Sequence, residues 1–337
     1  MNKEELNELE KIHLRQEKNL LVFSQVASYL NNAPCTITSE LIKEITDNNK
    51  DLEEYAYATF LADLFTDDEE LANELFREYY IKSVKQLDES EYYKNPYYKN
   101  IKIPNKQVGK WTLGSQEYQP YEAFIRDDII INEYTEIPSI GYFDKKFGFP
   151  TVFENGVEWM AIKPNEIETM KQSISEACGN VLVYGLGLGY YAYMISLKNE
   201  VKSITIIERD ESVIKLFYEH ILPQFEYKDK INVLKYDAFE YAENEAKKHS
   251  YNYAFVDLWH DVSDGTELYM RMKKLEKYLP KAKFSYWIEK SILSATRVRI
   301  FDTLYKSVKN GSLKQSISEI KEMLTDNFLR SLIKMDK

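Results

Sequence analysis

Apolar positions change their spacing three times along this chain, and each change predicts a different kind of element. Leu6, Leu9, Ile12, Leu20, Phe23 and Val26 keep the three-and-four spacing of one helix face until Pro34 breaks it. A second helix is expected over 39–46. A third follows over 52–65, with Tyr55, Phe60, Leu61 and Leu64 as its apolar members. Thr66-Asp67-Asp68-Glu69 has the form of a capping box and predicts a helix through Leu71, Leu75, Phe76 and Tyr80. Residues 1–90 therefore read as a helical domain, a small bundle. Over 91–164 prolines and glycines recur between short β-branched and aromatic runs such as 128–131, which predicts a β-rich connector. Its clearest element is a hairpin, 149–153 and 157–162, with Asn155-Gly156 as the turn signal.

From Pro164 the pattern changes again. A helix start at 164–170 presents Ile167, Met170, Ile174 and Cys178 on one face, and Gly179 is placed to end it. Strands are then expected at 181–184, 203–207, 231–234, 251–256 and 283–288, with helices at 190–197, 211–225, 238–248 and 265–278 between them. Apolar strands alternating with amphipathic helices give the α/β class: a Rossmann-like parallel sheet over 165–290. It carries an added N-terminal helical region, the β-rich connector, and a helical tail over 291–337 broken at Asn310-Gly311.

Composition narrows the partners. The net charge of −11 repels a phosphate backbone, so nucleic acid is not an expected partner. The 2 cysteines, Cys35 and Cys178, form no disulfide framework or zinc spacing, which fits a cytoplasmic protein. The N-terminus has no apolar signal core. The uncharged stretch 181–197 holds Gly185, Gly187 and Gly189 and begins as a strand, so no membrane span is expected. The 27 tyrosines follow a general drift toward Lys, Asn, Ile and Glu, or form a stacking surface for a ring-shaped substrate. The helical regions offer a surface for a homodimer.

Candidate chemistry gathers at the predicted strand ends. Tyr184-Gly185-Leu186-Gly187-Leu188-Gly189 is a glycine-rich turn between a strand and a helix, where backbone can approach a ligand closely. Glu208, followed by Arg209, closes the second strand, where a carboxylate can accept from both ribose hydroxyls. Alternatively Glu208 caps the next helix. The G-x-G-x-G spacing, with bulky Tyr190 after Gly189, favours a single nucleoside over a dinucleotide. Asp237, followed by Ala238, ends the third strand, as an adenine contact, a helix cap or both. Asp257, His260 and Asp261 form the titratable cluster after the fourth strand, with Asp257 and His260 as the catalytic candidates. Trp259 belongs to the core or packs on adenine.

Those residues resemble class I S-adenosylmethionine-dependent methyltransferases over about a third of the chain. The resemblance implies S-adenosyl-L-methionine as cofactor. Its methionine part would lie at the glycine turn, its ribose on Glu208 and its adenine near Asp237. The implied activity is methyl transfer to an unidentified small-molecule or protein acceptor. Val183 replaces the acid found in many members two residues before the first glycine. The layout from the hairpin to the glycine turn is similar to spermidine synthases, and an aminopropyltransferase is the alternative activity. Leu188, however, stands where those enzymes carry an acid. The run Asp257, Trp259, His260, Asp261 resembles the loop of catechol O-methyltransferase, but Glu289-Lys290 replaces that family's further metal ligands, so no metal site is expected. A non-catalytic nucleoside-binding or scaffold role is the rival from another class. The acceptor pocket is expected among Asp257, His260 and Trp159 or Met160, with the hairpin 149–162 and the segment 164–170 as its opposite wall.

Overall fold

A computed structural model describes residues 1–335. The chain gathers into two compact units, neither contiguous in sequence. The first takes Met1–Glu89, Tyr118–Phe147 and Leu293–Leu332; the second takes Ser90–Glu117 and Gly148–Ile292. The segment 91–164, read above as one connector, is thus shared between them. From the tail, Leu293–Leu332 belongs with the N-terminal helices.

The first unit opens with a helix over Lys3–Asn32 that buries Leu9, Ile12, Gln16, Asn19, Val22, Val26 and Tyr29. Leu6 and Leu20, expected on that face, are exposed. The inward line runs instead through two polar residues. Asn19 is stable there because its amide oxygen and one of its N–H donors are engaged. It donates to the Tyr134 carbonyl (2.7 Å) and accepts from the Tyr79 hydroxyl (2.8 Å) and the Glu136 N–H (3.2 Å). The helix over Glu69–Leu75 is capped by Asp68, not Thr66. Asp68 accepts from the N–H groups of Glu70 and Leu71, and Thr66 accepts only from Asp68. A carboxylate at the helix start gains from the dipole as well as from the hydrogen bonds.

The first 90 residues are not helical throughout. Lys85–Leu87 is a strand, parallel to Ile140–Phe143, which in turn pairs antiparallel with Phe124–Ile125. One core therefore mixes Tyr57, Leu61 and Tyr80 from the helices with Tyr121, Ile137 and Tyr142 from the later segment. Many tyrosines are core residues, and some of their hydroxyls reach backbone: Tyr57 donates to the Tyr121 carbonyl at 3.0 Å.

The second unit holds a parallel sheet of five strands: Gly179–Tyr184, Val201–Glu208, Ile231–Lys235, Tyr253–Val256 and Lys283–Tyr286. Their spatial order is third, second, first, fourth, fifth, every neighbour parallel. The order reverses between the first and fourth strands, where open α/β sheets leave a crevice at the carboxyl ends. No sixth or seventh strand joins this sheet among the described residues. A second sheet sets Lys106–Val108, Trp111–Tyr118, Phe147–Glu154 and Val157–Ala161 side by side. The last two form the expected hairpin, with Asn155 and Gly156 at φ +51° and +83°. Helix Pro164–Glu176 ends before Cys178, which is exposed, and Gly179 opens the first strand instead of closing the helix. Among the described residues no helix is long and apolar enough to cross a membrane.

Candidate functional site

A cavity of about 270 Å³ lies at the carboxyl ends of the parallel strands, near the lower end of the ~300–1,000 Å³ usual for ligand pockets. Gly185 and Gly187 line it from the first strand, Glu208 and Arg209 from the second, Asp237 and Ala238 from the third, and Asp257 and His260 from the fourth. Trp159 and Met160 of the hairpin line the same cavity. Residues read from the sequence as cofactor, catalytic and acceptor groups thus meet in one place. Two do not reach it. Tyr184 is buried in the sheet, and Gly189 begins helix Tyr190–Ser196 against the Phe217 ring.

The glycine turn is packed closely against its own chain. Gly185 has φ +100°, and a Cβ there would stand 2.0 Å from the Asp257 carbonyl oxygen. Its N–H donates to the Ile207 carbonyl (3.0 Å), while the Asp257 N–H donates to the Tyr184 carbonyl (2.9 Å). The turn is therefore clamped between the second and fourth strands. Tyr97, fully buried, supports it by donating to the Leu188 carbonyl at 2.6 Å.

The carboxyls differ in what they do. Glu208 does not cap the following helix; Asp210 does, accepting from the Ser212 N–H at 2.8 Å. Glu208 accepts from the Asp210 N–H at 2.8 Å. Burial raises its pKa, opposed by backbone N–H groups of Asp210, Arg209 and Leu186. Asp237 is a cap: one oxygen takes the N–H groups of Phe239 (2.9 Å) and Glu240 (3.0 Å). Asp257 has its pKa pushed up to about 7 by burial.

His260 is exposed, 3.6 Å from the Asp261 carboxylate, and its ring centre lies 5.8 Å from that of Trp159. Asp261 caps helix Val262–Leu275. Trp259 is buried and stacks toward Tyr286, and it also borders the cavity.

Trp111, Trp287 and Glu166 line the cavity as well, with no individual signal in the sequence. Trp111 fixes its ring by donating to Asp210 at 2.8 Å and meets Trp159 edge to face at 5.8 Å. Trp287 donates to the Thr169 hydroxyl at 2.9 Å. Glu166 enters from the first turn of helix Pro164–Glu176. Trp111 lies outside the strand–turn–helix repeat and Glu166 precedes its first strand, whereas Trp287 directly follows the fifth strand.

The first unit has a larger, open hollow of about 1260 Å³. Its Arg15, Lys18, Lys321 and Arg297 are each ion-paired, with Glu78, Glu74, Glu8 and Glu136 respectively. Those pairs engage four of its cations.

No family model matches the chain, and no curated protein matches it. A similar solved structure is that of a "putative caffeoyl-CoA O-methyltransferase" from Staphylococcus aureus. It is 17% identical, covers 50% of this chain and 72% of that one, and has a TM-score of 0.29. So remote a likeness bears on neither activity nor substrate, which are read from the cleft itself.

Proposed function

We propose that this chain is an S-adenosylmethionine-dependent methyltransferase whose nucleoside site spans the ends of the first three parallel strands. One observation carries the reading. A positive-φ glycine turn and carboxyls ending the second, third and fourth strands converge on one cavity at the point where the strand order reverses.

The residues fit the parts of that molecule. Glu208 is an acceptor-only group when ionised, and a ribose diol offers it two donors. Asp237 keeps one carboxyl oxygen outside its cap for an exocyclic amine. Ala238 and Phe239 give an apolar edge beside it. The backbone of Gly185 and Gly187 faces the cavity between these groups and Asp257. The cofactor, when bound, supplies a methyl group on a sulfonium. The chain has to align an acceptor with it and exclude water, so proximity supplies most of the rate. Trp159, Met160 and Asp257 border the space left for an acceptor, and Asp257 and His260 are the groups there able to take a proton.

Calorimetry with S-adenosylhomocysteine, S-adenosylmethionine and NAD tests the reading. The first two should bind and NAD should not, since buried Tyr190 fills the position where a dinucleotide turn needs a small residue. Binding of NAD without binding of S-adenosylhomocysteine overturns it.

A further inference from the structure

Glu166 is an acid for which nucleoside binding provides no partner. It is 6% exposed, it lines the cavity, and its Oε2 has no hydrogen-bond partner. An acid in a helix's first turn ordinarily faces water and gains from the dipole. Buried and unpartnered, this one costs far more than the dipole returns. Burial raises its pKa well above the ordinary carboxyl range, and Asp257 and Glu158 raise it further; only Lys163 opposes them. Lys163 is itself engaged, with Glu158 at 2.6 Å. Lys110, a cation on the cavity wall, is paired with Glu154.

Two carboxyls therefore line one cavity, and neither is ion-paired among the described residues; Arg209, exposed at the end of the second strand, lines it too, as do Trp159 and Trp287. Carboxyls that burial keeps close to neutral become acceptor-only when an adjacent cation ionises them, and with ring faces they are the complement of a small cation that carries N–H donors. We propose that Glu166 and Asp257 form the seat of a protonated aliphatic amine. The proposal rests on the methyltransferase reading for its consequence: the acceptor is then an amine, methylated on nitrogen. An ammonium held there first passes one N–H proton to the Asp257 carboxylate. The freed nitrogen pair then forms the new N–C bond with the methyl carbon. The C–S pair stays on sulfur, which leaves a neutral thioether and a protonated N-methylamine.

The amine could also be the cofactor's own amino-acid ammonium, and the test separates the two sources. Binding is measured by calorimetry on the full chain and on Glu166→Gln and Asp257→Asn, each checked for an unchanged thermal melt. One arm compares S-adenosylhomocysteine with methylthioadenosine, which lacks the ammonium. The other compares butylamine with butanol on protein saturated with methylthioadenosine. If the acceptor amine occupies the seat, butylamine binds at least ten-fold tighter than butanol, and either variant removes that preference. If the cofactor's ammonium occupies it, the variants weaken S-adenosylhomocysteine ten-fold and leave methylthioadenosine unchanged. Should Glu166→Gln not fold, Asp257→Asn gives the same two readings. The proposal is overturned if wild type shows no preference for butylamine and neither variant alters the ratio of the two nucleosides. Failure of methylthioadenosine to bind wild type sinks the nucleoside reading alone. Butylamine against butanol on the free protein then still decides the seat.

Discussion

Replacing Gly185 by alanine tests the clamp that brings the first and fourth strands together. The new Cβ would stand 2.0 Å from the Asp257 carbonyl oxygen, whereas real Cβ contacts essentially never fall under 3.0 Å. Strand ends must therefore part by at least 1.0 Å. Rotation cannot relieve the contact, since both atoms belong to the backbone framework and Gly185 is tied to Ile207 on its other side. Overpacking of this kind costs about 1–3 kcal/mol, and a side chain at positive φ adds about 1–2 kcal/mol. The expected loss is about 2–5 kcal/mol, read from urea unfolding. Gly156→Ala is the matched control: φ is +83°, but nothing lies within 4 Å of the added carbon. It should show the backbone cost alone, about 1–2 kcal/mol, with ligand binding intact. In Gly185→Ala the displaced Asp257 should also weaken S-adenosylhomocysteine binding. If the two variants lose equal stability, or Gly185→Ala binds as wild type does, the clamp is not what the glycine serves.

Three further outcomes are expected. Glu208→Ala should weaken S-adenosylhomocysteine binding by roughly 1.5–3 kcal/mol, the scale of hydrogen bonds to a charged group; unchanged affinity in calorimetry removes Glu208 from the site. Asp257 has a folded-state pKa of about 7, raised from 3.8 by burial, so its neutral form favours the folded state. That stability is complete below about pH 4 and is lost as pH rises through about 7, by at most about 4 kcal/mol at 1.36 kcal/mol per unit. Asp257→Asn should flatten this part of the unfolding free energy against pH, and identical slopes in the two proteins refute the assignment. Asn19→Ala leaves the Tyr134 carbonyl, the Tyr79 hydroxyl and the Glu136 N–H without their amide. It should cost at least about 2 kcal/mol in urea unfolding, and a loss under half of that means water replaces the side chain.

What the sequence determined by itself was whatever depends on neighbours along the chain. Alternating apolar strands and helices place the five parallel strands, with ends displaced by a few residues. Asn155-Gly156 specifies its hairpin because both positions need positive φ, a local demand that these residues meet. Glu208, Asp237 and Asp257 are legible because a strand's carboxyl end is a position along the chain as well as in space. Only tertiary structure decided the rest. Lys85–Leu87 is a strand because Ile140–Phe143 lies beside it, a pairing across more than fifty residues that no local pattern encodes. Asn19 turns inward, against hydropathy, because distant groups satisfy its amide. Asp68 rather than Thr66 became the cap because two acceptors competed within one turn. Glu166 has the sequence of an ordinary solvated first-turn acid. Its burial was fixed by the sheet and hairpin packed around that turn, because solvent exposure belongs to the assembled surface and not to the residue.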